Sequence, residues 1–220
     1  SVAKAVASGI RARLDIAVTG SLIYRGVPTM VLAFDLAAPN VEVVLHERST
    51  TEQIQDLLHG QLDAGFVNAA TVPSQLGSLA LADDQFVLAL PEGHGLASRQ
   101  TVDLKQLASE RFVMFSREVS PANYDNVIAI FSRAGIHQQT VHAVRQWLTV
   151  LAMVATGLGV ALVPSSIVGS GIAGVRFVRF RGAPARAPAT LAWNLMRLSP
   201  ALKSFLADAR TSTLAQKSRP

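Results

Sequence analysis

Five short segments place hydroxyls, amides or cations where a strand hands over to a helix: Thr19-Gly20-Ser21, Ser49-Thr50, 116–121, Arg145-Gln146-Trp147 and Pro164-Ser165-Ser166. The first backbone N–H groups of a helix have no intrahelical partner and the helix dipole is positive there, so such elbows attract carboxylates and phosphates. Arg25, Arg48, Arg117 and Arg145 lie beside four of the five. A single Ser or Thr at such a place most often only caps its helix. Five elbows with neighbouring arginines point instead to an anionic or carboxylated ligand. Trp147, opening a helix beside Arg145, reads either as a wall for that ligand or as an ordinary core aromatic. Asn68, directly after the apolar run 64–67, reads either as a further polar contact at a strand's carboxyl end or as a turn residue.

Bond-making chemistry has no evident owner. The five histidines (His46, His59, His94, His137, His142) are scattered without metal-ligand spacing, so no metal site is expected. No G-x-S-x-G elbow supplies an activated serine, and the chain has no Cys, hence no thiolate nucleophile, disulfide or Cys-based zinc site. Asp83 and Asp84 are adjacent before a strand, where they point to opposite faces. Gly169, Gly171 and Gly174 satisfy G-x-G-x-x-G, but a dinucleotide fingerprint follows a strand, opens a helix and finds an acid about 20 residues on. These glycines lead into the strand-like VRFVRF, and the downstream window where that acid would stand has none. No cofactor and no catalytic residue are therefore assigned, and the chain reads as a binding protein rather than an enzyme.

The elbows need a sheet to hold them. Apolar runs at 14–18, 41–47 and 64–67 alternate with helical spacing at Ile23, Val27, Met30, Val31 and Phe34, and at Ile54, Leu57 and Leu58. Pro28 is expected to kink or restart the first helix and Pro39 to end it. Thr50 with Gln53 spells a capping box, and Gly60 stands where a left-handed C-terminal glycine belongs. Strands are expected at 79–81 and 85–90, followed by the polar stretch 91–100 as the one plausible boundary. Alternation then restarts: strands at 112–115, 141–144 and 160–163, helices with Val127, Ile128 and Phe131 on one face and from Trp147 to a stop at Gly157, late strands at 175–180 and 190–196, and a last helix opened by Pro200. Two α/β halves in series, each with a mainly parallel sheet, follow from this order.

Composition sets outer limits. The 220 residues are 50% hydrophobic and 16% charged, an ordered chain of one large domain or two lobes. The longest apolar runs fall far short of the roughly 20 residues needed to span a bilayer, so no membrane partner is expected. The chain opens on Ser1 without a secretory apolar run, which reads as the start of a piece cut from something longer. The net charge of +5 conceals an asymmetry: from Ile172 onward nine Lys or Arg face the single acid Asp208. Arg176 and Arg179 flank strand residues and no aromatic stacking run accompanies them, so this basic segment does not read as a nucleic-acid surface.

The ordered set LDIAVTGS (14–21), GQLDAGFV (60–67), LPEGHGLA (90–97) and ATGLGVALVP (155–164), with Pro28 and Pro39 between, resembles the effector-binding (regulatory) domain of LysR-type transcriptional regulators. Gly95 departs from it, since the family usually has Pro after the His. The resemblance implies a fold like type 2 periplasmic binding proteins: two Rossmann-like lobes joined by two crossover strands, near 87–90 and 185–191, with a cleft between. It implies 1–13 as the end of a linker helix, lobe I as 14–87 plus 190–212, lobe II as 88–189 and 213–220 as a frayed tail. By position it assigns effector contacts to Ser21, Leu22, Thr50, Val119, Ser120, Pro121, Asn123 and Trp147, to which the reading above adds Asn68. The implied function is cytoplasmic, allosteric transcription regulation. A small, anionic effector shifts the lobe geometry, a homodimer or homotetramer transmits the shift, and DNA is read only through an N-terminal helix-turn-helix domain absent from this chain. A solute-binding receptor of a transporter, or an enzyme on the same scaffold, is the alternative.

Overall fold

The computed structural model describes residues 12–137, 139–182 and 186–217. The chain divides into two units, one built from the residues up to Ala82 and from Pro188 onward, the other from Asp83–Ala187. The expected linker-helix end lies outside the described residues except for Ala12 and Arg13, which belong to the first strand. The crossover expected at 185–191 lies partly outside them as well.

In the first unit β1 (Ala12–Val18) runs parallel to β2 (Val41–Glu47) on one side and to β3 (Ala64–Val67) on the other. β12 (Thr190–Asn194) is antiparallel to β3 and to β4 (Leu76–Ala80), giving the order β2-β1-β3-β12-β4. Apolar side chains emerge on both faces of the central strands, so both must be covered. On one face Leu14, Ile16 and Phe66 pack with Phe34 and Phe205, whose rings meet edge-on at 5.2 Å. These come from α1 (Val27–Ala37) and α5 (Pro200–Lys217). On the other face Ala17, Val67 and Ala192 pack against Leu57 of α2 (Thr50–His59).

Two local expectations shift by a residue or a turn. The helical spacing from Ile23 to Phe34 is two pieces, a 3-10 turn Gly20–Arg25 and α1, separated by Gly26 at φ 84°. Pro28, lacking an N–H, fits only the first turn of α1, and the left-handed glycine makes the break. The capping box of α2 is Ser49 with Glu52, not Thr50 with Gln53: Ser49 Oγ accepts from the Glu52 N–H at 3.2 Å, and the Glu52 carboxylate accepts from the Ser49 N–H at 2.8 Å. Thr50 is thereby the first helical residue and its hydroxyl is free for another partner. Met30 and Phe34 are buried, so the exposed apolar face of α1 is Leu32 and Leu36, 59% and 78% exposed.

The second unit repeats the plan. β5 (Asp84–Pro91) is antiparallel to β9 (Ala161–Pro164), to β10 (Val175–Phe180) and, at its start, to β11 (Arg186–Ala187). β10 runs parallel to β6 (Thr101–Val102), and β7 (Arg111–Phe115) runs parallel to β8 (Gln139–Val144). A parallel bridge from Phe112 to Val160 joins β7 to the residue leading into β9. The resulting order β8-β7-β9-β5-β10 matches that of the first unit. α3 (Pro121–Ala134) packs Phe131 on Phe112, ring centroids 4.6 Å apart, and α4 (Trp147–Ala155) buries Val150, Leu151 and Val154. The polar stretch 91–100 lies within this unit, where the Pro91 carbonyl accepts from the His94 N–H. Gly171 and Gly174, at φ 64° and 81°, close a 3-10 turn and lead into β10, the reverse of a nucleotide-binding order.

Candidate functional site

In the first unit the carboxyl ends of the two central parallel strands meet the helix starts, and the polar residues gather there. β1 ends at Val18 and delivers Thr19 and Ser21; β3 ends at Val67 and delivers Asn68; the capping box delivers Thr50. All four are buried. The Asn68 side-chain amide donates to Thr19 Oγ1 and to Ser21 Oγ, each at 3.0 Å, and the Asn68 backbone N–H donates to Thr50 Oγ1 at 3.1 Å. Asn68 therefore ties three segments of the chain into one polar cluster. Leu22, next to Ser21, is fully buried in the adjacent core, its N–H donating to the Thr19 carbonyl. The Glu47 carboxylate stands against Gly20, 3.1 Å from where a Cβ would be. Glu47 is exposed, so water screens its charge, whereas the hydroxyls act in a drier place.

In the second unit the corresponding elbow begins α3. Ser120 precedes the helix with φ −148° and ψ 83°, and its hydroxyl makes no cap bond. Ser120 Oγ and both polar atoms of the Asn123 side chain are buried without a hydrogen-bond partner among the described residues. Three unpartnered buried polar atoms so close together are uncommon, since each costs about 1–3 kcal/mol when left unpaired. Val119 is buried beside them and Pro121 occupies the first turn. Trp147 opens α4, buried, with one indole face stacked on Phe115 at 4.4 Å and 8° between ring planes.

The fifth elbow is already occupied by the protein's own carboxylate. Asp84 Oδ2 accepts from the Ser166 N–H at 3.0 Å, and its other oxygen accepts from the Ser165 hydroxyl. The adjacent Asp83 pairs instead with Arg186 at 2.9 Å. The arginines are also engaged within their own units: Arg25 donates to the Ala82 carbonyl, Arg48 faces Asp56 at 3.8 Å, Arg117 grips Asp125 through two hydrogen bonds, and Arg145 faces Glu118 at 3.9 Å. The anion-binding case thus passes from cations to neutral donors. No cluster of metal-ligating side chains occurs among the described residues. Spacing alone missed two features: Thr19 as a third hydroxyl of the Asn68 cluster, and Asp84 as the filler of the Ser165 elbow. Only the pairing of strands distant in sequence brings either together.

The profile of the LysR substrate binding domain matches residues 7–213. The chain belongs to that family. It is 31% identical over 209 residues to the HTH-type transcriptional regulator TfdS of Cupriavidus pinatubonensis (strain JMP 134 / LMG 1197), an alignment covering 94% of this chain and 70% of that protein. It spans 61% and 55% of the length of two other matching regulators, from Escherichia coli (strain K12) and Bacillus subtilis (strain 168). Among solved structures, full-length CbnR complexed with its target DNA aligns at a TM-score of 0.83 and 26% identity, covering 96% of this chain and 74% of that one. The BenM effector binding domain with its effector benzoate aligns at 0.81 and 23%, covering 96% of both chains, a likeness of fold. The LysR-type domain here is thus a pair of α/β lobes of the type 2 periplasmic-binding-protein class. No described helix is long and apolar enough to cross a membrane.

Proposed function

We propose that this LysR-type domain senses a small carboxylated metabolite and passes its presence to the DNA-binding domain of a cytoplasmic, homo-oligomeric transcription regulator, without catalysing a reaction. The observation that carries this reading is the buried trio of Thr19, Ser21 and Thr50 held around Asn68 at the carboxyl ends of β1 and β3, the place where open α/β sheets take small ligands. Ser21, Leu22, Thr50 and Asn68 form the contact set of the first unit. Val119, Ser120, Pro121, Asn123 and Trp147 form that of the second, where the unpartnered Ser120 and Asn123 offer both donors and acceptors. A ligand with a charged acceptor and an apolar or hydroxylated body suits the hydroxyls beside Leu22 in the first unit.

The test is a thermal-shift screen of simple carboxylates, starting with benzoate and shikimate, the molecules held by two fold neighbours. A ligand that binds only the folded state must raise the melting temperature. At least one carboxylate is expected to do so, and Ser21→Ala with Thr50→Ala together is expected to abolish the rise while the unliganded protein still melts cooperatively. A double variant that responds like the parent would show that these hydroxyls are not the site.

A further inference from the structure

We infer that Asn68 is a positioning residue that sets the hydrogen-bond polarity of the first elbow, making it select an oxyanion over a neutral amide of the same shape. The inference rests on the proposed sensing function and specifies what the site reads. The argument is a count of hydrogens. A carboxamide has two N–H donors, and both of Asn68's go to hydroxyl oxygens, one to Thr19 and one to Ser21, at 3.0 Å each. The backbone N–H of the same residue goes to the Thr50 hydroxyl at 3.1 Å. All three hydroxyls therefore accept from Asn68. A hydroxyl has a single hydrogen, and none of these three can direct it at the nitrogen that donates to it. Three O–H hydrogens in a buried place are thus turned away from Asn68, and a ligand atom that accepts is what completes them.

Geometry supports two-point recognition. The two N–H bonds of a planar amide nitrogen diverge by about 120°, which sets the Thr19 and Ser21 oxygens roughly 5 Å apart, a span the two oxygens of a carboxylate can bridge. The nearby arginines lie in pairs of their own: Arg25 with the Ala82 carbonyl and Arg48 with Asp56. Discrimination between anion and neutral analogue therefore rests on donor direction rather than on a counter-charge. An acid at position 68 would reverse that direction. Its carboxylate would accept from Thr19 and Ser21, drawing their hydrogens inward and leaving oxygen lone pairs and a negative charge facing the ligand. The smallest change that removes the constraint without adding charge is Asn68→Ala.

Two measurements test this on the chain as it stands. In the unliganded protein, the two Nδ2 hydrogens of Asn68 are expected to be distinct by NMR and protected from exchange relative to those of exposed Asn40. Rates equal to those of Asn40, or hydroxyl hydrogens found pointing at residue 68, would overturn the inference whatever the protein binds. Second, calorimetric titration with benzoate and with benzamide is expected to favour the anion by roughly tenfold or more, the worth of hydrogen bonds to a charged acceptor. Asn68→Ala should bring that ratio close to one, and Asn68→Asp should invert it while keeping the fold, being nearly isosteric. A merely structural role would weaken both ligands alike and leave the ratio unchanged, which would contradict the inference. If the parent chain binds neither benzoate nor any other carboxylate of the panel, the sensing reading itself fails. If it binds carboxylates but the ratio survives Asn68→Ala, only the role of Asn68 fails.

Discussion

Thr19, Ser21 and Thr50 come from two separate strand ends, yet each oxygen lies against Asn68. The residue types and their places at strand ends were visible in the sequence, which is why Ser21, Thr50 and Asn68 stand in the expected set. Their mutual bonding was not, because it depends on β1 and β3 lying side by side, with Val18 opposite Phe66. The arginines mislead for a related reason: sequence proximity to an elbow says nothing of the carboxylate or carbonyl that folding brings to each. Asp15 gives a prediction at the same scale. Arg13 donates two hydrogen bonds to its carboxylate at 2.9 and 2.7 Å, and His46 lies at 2.8 Å. Chiefly the Arg13 hydrogen bond holds its pKa below the usual 3.8, against the opposing effect of partial burial. A carboxyl group depressed on folding stabilises fully above its unfolded value and loses that contribution as pH falls through the folded one. Asp15→Asn is therefore expected to be less stable than the parent at neutral pH, with the gap closing below about pH 4 in denaturation experiments. A gap that stays constant down to pH 2 would show that the charge is irrelevant.

At the scale of elements, α2 illustrates how much a one-residue shift matters. Ser49 and Thr50 are both good caps by type, and the pairing of Thr50 with Gln53 fits a capping box as well as the pairing of Ser49 with Glu52. The tie is broken by packing: Gln53 is buried, its amide donating to the Arg48 carbonyl at 3.0 Å, while Glu52 is exposed and able to fold back on Ser49. The result leaves Thr50 for the functional cluster and gives the structural task to Ser49. Ser49→Ala is expected to cost about 1 kcal/mol of stability in urea unfolding, and it should leave carboxylate binding within a few-fold of the parent. Gly60 ends α2 at φ 70°, with the Arg197 guanidinium against it. Gly60→Ala is expected to cost about 1 kcal/mol for the left-handed backbone alone, since the arginine head can swing aside. If Ser49→Ala and Thr50→Ala prove interchangeable in stability and in binding, this division of roles is wrong.

For the whole molecule, the alternation of strand and helix sufficed to expect two α/β halves, because each apolar run and each stop signal is local. The last strand pairing is not local: β12 comes more than a hundred residues after β3, yet lies between it and β4. Only the resemblance carried the return of the chain to the first lobe. Assembly is read at this scale too. Leu32 and Leu36, one turn apart on α1, form an exposed apolar stripe in the first unit. Light scattering is expected to find an oligomer that Leu36→Glu weakens; an unchanged mass would remove this face from consideration.

The central claim, that a small carboxylate is held by the hydroxyl and amide elbows, is tested most directly by mapping backbone amide shifts while a stabilising carboxylate, benzoate first, is titrated into the chain. The largest changes are expected at Ser21, Leu22, Thr50 and Asn68, with a second group at 119–123 and Trp147. Saturable changes confined to other residues, with these signals unmoved, would contradict the account.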